Sequence, residues 1–492
     1  MPVDTVRSDY TTALDRWDRC RDCYEGSDAV KAKGVTYLPM LGGHAEKPSK
    51  YSAYLQRALF FNATARTVQG LVGAVFQKDP TVTLLERFAS HTKDITLTGV
   101  TLTTFAQQVL QENLAIGRGG ILVDMATAAS SEQRPYWVRY RAEQIIAWRT
   151  LRVSGDEVLT RVVLKERIEE DDPKDPFAVL DIEQCRVLEL RGVGTPAAAC
   201  VRTLWRREQA EDTRSKWVIH IPEGETGAGH TLIRRAVPLP FIPFVFFGPD
   251  GVAPGIDKPP LLDLVDVNLS HYRTSADLEH GRHFTALPTP WVSGSTSKDG
   301  EPLAIGSGTA WQLELNGRAG MVEFTGQGLK ALETADTEKR HMMAVLGARL
   351  LEQQSRGVEA AVTVQMRHAG EHATLRTIAG VSELAVSLAL QIHAWWVGSD
   401  AQPRDVKAGI EFNKEFVALR LTPEDVKAAL LSLQAGGMSF ETWFYTLQRG
   451  DWARPGATVE EEKALIDADA ERLAAREPEP EPEPPEPDPE NV

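Results

Sequence analysis

Positive charge is what this sequence is short of. Its 492 residues hold 54 lysines and arginines against 69 aspartates and glutamates, a formal net charge of −15. Residues 477–492 account for seven of the acids, so the remainder stands at 54 − 62 = −8. Tight duplex binding needs many Lys and Arg to neutralise phosphates, and this balance excludes a broad DNA-gripping surface. It is compatible with a surface past which DNA slides without sticking.

Cysteine is scarce too. Cys20, Cys23, Cys185 and Cys200 make no disulfide framework in a chain this long. Cys20 and Cys23 have CxxC spacing inside a charged helix, DRWDRCRDCYEG, with no second pair to complete a zinc site. They read as ordinary helix cysteines. No window reaches about eighteen uninterrupted apolar residues, and the first residues lack the apolar core of a signal peptide. The expectation is a protein with reduced thiols, made in the cytoplasm and not in a membrane.

Catalytic signatures are thin. GETGAGHT has the two P-loop glycines, Gly224 and Gly229, but His230 stands where the phosphate-binding lysine must be, which excludes an ATPase. There is no GxSxG element. His368, Glu371 and His372 match HxxEH, in which two histidines one helical turn apart hold zinc and the glutamate serves as general base. No third ligand nominates itself, so exposed histidines on a charged helix are the plainer reading and a zinc metallopeptidase the alternative. The acids Glu169, Glu170, Asp171 and Asp172 read as a solvated loop. Arg139, Arg141, Arg149, Arg202, Arg206 and Arg207 read as sheet-surface charges. No catalytic, cofactor or metal residue is nominated, and the chain is expected not to be an enzyme.

What is present is a sequence of changing periods, an α+β pattern. An amphipathic helix over 3–25 and a long helix over 51–79 open the chain, with Gly70 and Gly73 expected to admit a neighbouring backbone. From Gly119 the period falls to two. GGILVDM, YWVRYRAEQIIAWR, EVLTRVVLKERI, FAVLDIEQCRVLELR, ACVRTLWRRE and SKWVIHI are separated by connections too short for crossover helices, which predicts an antiparallel meander. The prolines of LPFIPFVFFG suit an edge or linker.

A proline-free helix is predicted from Leu261 to Phe284, with Leu261, Val265, Leu269, Tyr272 and Ala276 on one stripe and Asp263, Asp266, Arg273 and Asp277 elsewhere. A glycine-rich insertion over 286–327 follows, with three short strands expected in TPWVSG, TAWQLELN and GMVEFTG, then a return helix from Leu329 to about Gln354. Val362–Trp396 predicts the longest helix. VKAGIEFN and FVALRLT suggest a strand pair. Thr422 reads as the N-cap of a helix, further helices run to Arg476, and EPEPEPPEPDPENV builds no core.

This order of parts resembles tailed-bacteriophage portal proteins. YLPMLGG, YLQRALFFNATARTVQGLVGAVFQKDP, RPYWVRYRAEQIIAWR, IPFVFFG and LLDLVDVNLSHYRTSADLEHGRHF are similar to a portal-like phage family first described only as a domain of unknown function. The resemblance spans roughly residues 35–450, outside the N-terminal helix and the acidic tail.

It implies a portal-like fold. Residues 1–255 would be the N-terminal helices and β-rich wing, 256–285 and 328–354 the two-helix stem, and 286–327 a small α/β clip with Trp291, Trp311 and Glu314. A tunnel loop would cover 353–361, with Gln353, Gln354, Ser355, Arg356, Gly357, Val358 and Glu359 near DNA. The long wing helix and strands would cover 362–421, a helical crown 422–476 and a disordered tail 477–492.

The resemblance further implies a homo-oligomeric ring of about twelve subunits at one capsid vertex. Double-stranded DNA would be packaged and ejected through it, held by its backbone without base readout. The partners implied are the terminase large subunit, which would supply the ATPase, a tail adaptor or head-completion protein, and the major capsid and scaffolding proteins. No membrane is implied. The place implied is the virion, after assembly in the bacterial host cytoplasm. Lys330, Lys339 and Arg340 are the expected channel-facing stem charges. A phage structural adaptor that forms no channel is the other alternative.

Overall fold

The computed structural model describes residues 3–41, 48–125, 134–172, 175–208, 216–222, 225, 227–285, 289–295, 313–322, 327–347, 361–398, 402–414, 423–450, 452–454 and 456–474. The chain is a mixed α and β protein. It divides into two compact units, Met1–Lys414 and Glu415–Val492.

The first unit opens with helices α1 (Ser8–Glu25), α2 (Ser27–Ala32), α3 (Pro48–Arg57) and α4 (Ala63–Val75). Tyr10, Ala13, Trp17 and Cys20 recur at helical spacing on α1 and are all buried. The single helix expected over 51–79 is in fact two. Asn62 caps the second, its side chain accepting from the Ala65 amide at 2.9 Å, and that bond favours ending one helix and starting another. Gly73 meets no atom within 4 Å of where a Cβ would stand, so its expected role in close approach does not hold. Strand β1 (Thr81–Thr83) leads to α5 (Leu102–Ile116), which Thr101 caps and Gly117 ends with a φ of 75°.

The strands that follow are β2 (Gly119–Met125), β3 (Pro135–Arg141), β4 (Ile145–Val153), β5 (Asp156–Asp172), β6 (Asp175–Arg191), β7 (Ala199–Glu208) and β8 (Lys216–His220). Short pieces β9 (His230–Thr231), β10 (Ile233–Arg234) and β11 (Val237–Pro238) precede β12 (Phe244–Phe247). All pairings are antiparallel, but the expected meander is shared between two sheets. A turn at Ala142–Gln144 splits YWVRYRAEQIIAWR, sending its first half to a three-stranded sheet β12-β2-β3 and its second to a sheet ordered β4-β5-β6-β7-β8. Glu169–Asp172 belong to β5 and not to a loop, because Glu169, Glu170 and Asp171 pair with Asp181, Leu180 and Val179. His230 lies on β9 opposite Arg202, in a strand that opens no helix.

Helix α6 (Leu262–Thr285), strands β13 (Thr289–Ser295) and β14 (Leu313–Val322) and helix α7 (Gln327–Leu346) come next. The described part of the insertion is one antiparallel strand pair. The expected second and third strands are a single strand here, because Gly317 and Gly320 sit inside β14 and no turn forms at them.

Helix α8 (Ala361–Val397) is the longest element, and its side chains are described from Thr374 onward. Among the described residues, Thr374–Val397 is long and apolar enough by composition to cross a membrane, and half of that window is buried within the protein. It lies against α5, β2 and β12. Ser382 accepts from Asn113 Nδ2 at 3.0 Å, and Trp395 meets Phe241 at a ring separation of 5.2 Å. Strand β15 (Gly409–Glu411) pairs with β1, and the suggested partner strand at 416–422 lies outside the described residues.

The second unit holds α9 (Pro423–Gln434), α10 (Phe440–Arg449) and α11 (Val459–Ala474). The Ser439 hydroxyl accepts from the Thr442 amide at 3.2 Å. Thr458 and Glu461 form a reciprocal cap at 3.2 and 3.0 Å. Its small core includes Phe444, Leu447 and Val459. The expected cap Thr422 and the tail 477–492 lie outside the described residues.

Candidate functional site: the helical hairpin and its root

At about 1.5 Å per residue, α6 is a rod of roughly 36 Å. The predicted stripe of Leu261, Val265, Leu269, Tyr272 and Ala276 is buried, and Asp263, Asp266 and Arg273 are exposed. Burial runs further round the helix than a single stripe, taking in Asn268, His271, Thr274 and Ser275. Such polar groups are tolerated in a core when each finds a partner. Asn268 Nδ2 donates to the Phe61 carbonyl at 2.8 Å, and its Oδ1 accepts from Thr64 Oγ1 at 3.0 Å. The Tyr54 hydroxyl donates to Asp277 at 2.6 Å, and Arg273 Nε donates to the Tyr37 carbonyl at 2.9 Å. These bonds clamp the base of α6 to the N-terminal helical layer.

Polar contacts also bind α7 to α6. Arg282 pairs with Glu333 at 2.9 Å. Lys339 Nζ donates to the Ser270 carbonyl at 3.2 Å and to the Thr274 hydroxyl. His271 Nε2 lies 2.9 Å from Asp336 Oδ1 and 3.3 Å from Arg340 Nε, and Arg340 reaches the other Asp336 oxygen at 2.9 Å. One ring nitrogen cannot both donate to the carboxylate and accept from the guanidinium. Nε2 accepts from Arg340 Nε, and Asp336 Oδ1 takes no hydrogen bond, so the Asp336 contact is a close approach of the ring to the carboxylate charge. Burial lowers the His271 pKa from 6.5 against the pull of Asp336, and Arg340 and Lys339 lower it further. The ring is neutral at pH 7.

Close packing completes the joint. The side chain of Leu329 lies where a Cβ on Gly281 would stand, and Gly347 fits against Leu264 and Thr67. At the root, a largely apolar cavity of about 200 Å³ is lined by Leu71, Leu114, Leu261, Leu346, Leu375 and Ile378, where α4, α5 and α8 meet the hairpin.

Of the three basic residues expected to face a channel, Lys330 is exposed. Arg340 is half exposed but tied to Asp336, and Lys339 is spent within the hairpin. Trp291 is exposed on β13 opposite Gly320, with its indole over that glycine, and Glu314 is exposed on β14. Trp311, the loop residues 353–359 and the side chains of His368, Glu371 and His372 lie outside the described residues.

Asn268, His271 and Asp336 were not singled out by sequence reasoning. The repeat of polar residues at 268, 271 and 274 along an apolar helix was the available signal for the first two.

Among the described residues, no three His, Cys, Asp or Glu side chains stand together as a metal set. All four cysteines are buried and unbridged. Burial pushes the Cys20, Cys185 and Cys200 thiols up to about 12 and Cys23 higher still, which leaves them protonated and unreactive.

Residues 260–397 match a family described as a domain of unknown function (DUF4055). The match begins at Pro260, beside the start of α6, and ends at Val397, the last residue of α8. The matched segment is therefore the hairpin together with the long helix. No curated protein matches the chain.

Proposed function

We propose that this chain is the subunit of a tailed-phage portal, a ring at one capsid vertex through which double-stranded DNA enters and leaves. The observation that carries the reading is the hairpin itself. Two long antiparallel helices, rooted in the helical layer of a mixed α and β body and bearing a strand pair between their far ends, suit a stem and clip repeated around an axis. The long helix after the hairpin stands where the portal order of parts puts the wing helix.

The chemistry supports a conduit. A net acidic protein repels phosphates, and exposed cations such as Lys330 would add a sparse basic ring once repeated. Contacts would fall on the DNA backbone, so passage would be independent of sequence. On this reading a separate terminase supplies the ATP chemistry. The strand pair carrying Trp291 and Glu314 faces that motor during packaging and a tail adaptor afterwards, and capsid and scaffolding proteins surround the ring.

Negative-stain images of the purified chain test the proposal. Ring-shaped particles with a central channel are expected, and particles without a channel would count against it. Removing residues 286–327 should leave the ring and abolish adaptor binding. Loss of the ring itself would overturn the clip assignment.

A further inference from the structure

Strands β5 and β6 are far longer than their neighbours. Strand β4 pairs with β5 only as far as Leu164, and β7 pairs with β6 only from Gln184 onward. Among the described residues, 167–172 and 175–183 thus pair only with each other and form a two-stranded ribbon. Its six residues of β5, from Arg167 to Asp172, reach about 20 Å. Its base is fixed to the sheet by Lys165–Glu183 at 3.2 Å, Arg207–Glu183 at 2.6 Å and Arg206–Glu170 at 2.8 Å.

The outer part of the ribbon is unusual in composition. Strand register and the two-residue period put Arg167, Glu169, Asp171, Val179 and Asp181 on one face, with Arg167 3.4 Å from Asp181. Phe177 lies just beyond, in the irregular stretch between Val179 and Asp175. Phe177 is 95% exposed and Val179 56%. An aromatic ring held in water beside a valine, within a set of acids, marks a contact surface better than a solvated one. Open strand edges are a second liability, since they template pairing with another strand.

The same sheet carries a surface of opposite kind. Strand β4 is at its edge, and the N-terminal segment covers the first part of that edge, with the Arg7 amide donating to the Ile146 carbonyl at 3.3 Å and Arg7 Nη1 to the Trp148 carbonyl at 2.9 Å. From Arg149 to Val153, β5 is the only partner strand among the described residues. Arg149 and Arg152 are exposed there, and Leu151 between them is 49% exposed. Two such edges repel one another, whereas an acidic strand bearing apolar side chains is complementary.

We infer that the ribbon of β5 and β6 is a docking arm that lays its acidic face, with Phe177 and Val179, along the 149–153 edge of a second copy. The contact joins two different surfaces of one chain. Such a contact is head-to-tail and closes into a ring when the rotation permits. The inference rests in part on the proposed ring, but it fixes where neighbouring copies touch.

Charge exchange tests it. The variant Glu169→Lys/Asp171→Lys should weaken self-association at least about tenfold, read by sedimentation velocity across a concentration series, with the melting temperature of the chain unchanged. Arg149→Glu/Arg152→Glu should do the same, and an equimolar mixture of the two variants should recover association. Phe177→Ser should also weaken it. If both charge variants assemble as the unaltered chain does, the arm is overturned while the ring stands. If the unaltered chain forms only small oligomers that obey the charge exchange, the arm stands and the portal reading fails. Association that neither variant lowers, with loss of binding to a basic protein partner instead, would likewise overturn self-docking.

Discussion

His271 on α6 stands with Nε2 2.9 Å from Asp336 Oδ1 on α7, the imidazole side chain fully buried and the carboxylate nearly so. The two residues lie on different arms of the hairpin, and Arg340 closes the far side of the carboxylate. With the ring neutral and Arg340 half exposed, removing the carboxylate costs a charge-assisted bond to Arg340 and not a buried ion pair, about 1.5–3 kcal/mol. Asp336→Ala should therefore destabilise the first unit by an amount in that range. Urea unfolding followed by tryptophan fluorescence checks it, and a loss below about 1 kcal/mol would show that the contact does not hold the hairpin.

A second pair sets an acid limit. His393 on α8 and His91 are joined Nε2 to Nδ1 at 2.9 Å, and His393 Nδ1 has no partner. The proton of His393 therefore belongs on Nε2, since a buried unpaired donor would cost more than a bare acceptor. Burial, then His91 and Arg134, lowers the His393 pKa from 6.5 to about 3. Above pH 6.5 both folded and unfolded states are neutral at this site, and its contribution is fully present. Below 6.5 the unfolded chain takes the proton and the folded chain does not, so stability is lost as pH falls toward about 3. The slope is up to about 1.4 kcal/mol per pH unit. His393→Leu should flatten the acid limb in a urea-midpoint series from pH 7 to 4, and an unchanged slope would contradict this account.

Gly119 and Gly120 on β2 lie under the rings of Phe247 and Phe244, which leave no room for a Cβ. Gly120→Ala should cost about 1–3 kcal/mol by overpacking. Pairing it with Phe244→Leu should recover part of the loss, because the smaller side chain makes room for the methyl group. A thermal melt of the single and double variants decides this.

Glu112 on α5 is 4% exposed and takes Arg21 through both oxygens, with Arg139 at 3.3 Å. Its hydrogen bonds and charge raise the Arg21 pKa against the opposing effect of burial. Glu112→Ala should destabilise by about 3–5 kcal/mol, since two guanidinium groups lose their shared counter-charge. A replacement that left the chemical unfolding midpoint in place would show the network to be dispensable.

The long helices were legible in the sequence because uninterrupted periodicity and flanking prolines define them. Leu261–Phe284 and Val362–Trp396 differ from α6 and α8 by one residue at each end. Elsewhere the local signal pointed the wrong way. Leu59, Phe60 and Phe61 continue the helical period across the break before α4, and only the capping side chain of Asn62 marks it. Ala142, Glu143 and Gln144 are helix formers that make the turn between two sheets. Glu169–Asp172 have low strand propensity, and pairing with β6 overrides it. The hairpin could be read as a unit, but the contacts that close it could not. Lys339 meets Ser270 and Thr274 across 69 and 65 residues, and no local period shows that a lysine on a charged helix turns inward.

The central claim is that copies of this chain close into a channel, and mass photometry of the purified full-length protein tests it most directly. Twelve copies of the 54.2 kDa chain give a single species near about 650 kDa, and a closed ring of any other size gives one discrete multiple of the chain mass. A uniform 54.2 kDa monomer under assembly conditions, with no larger species at any concentration, would contradict it.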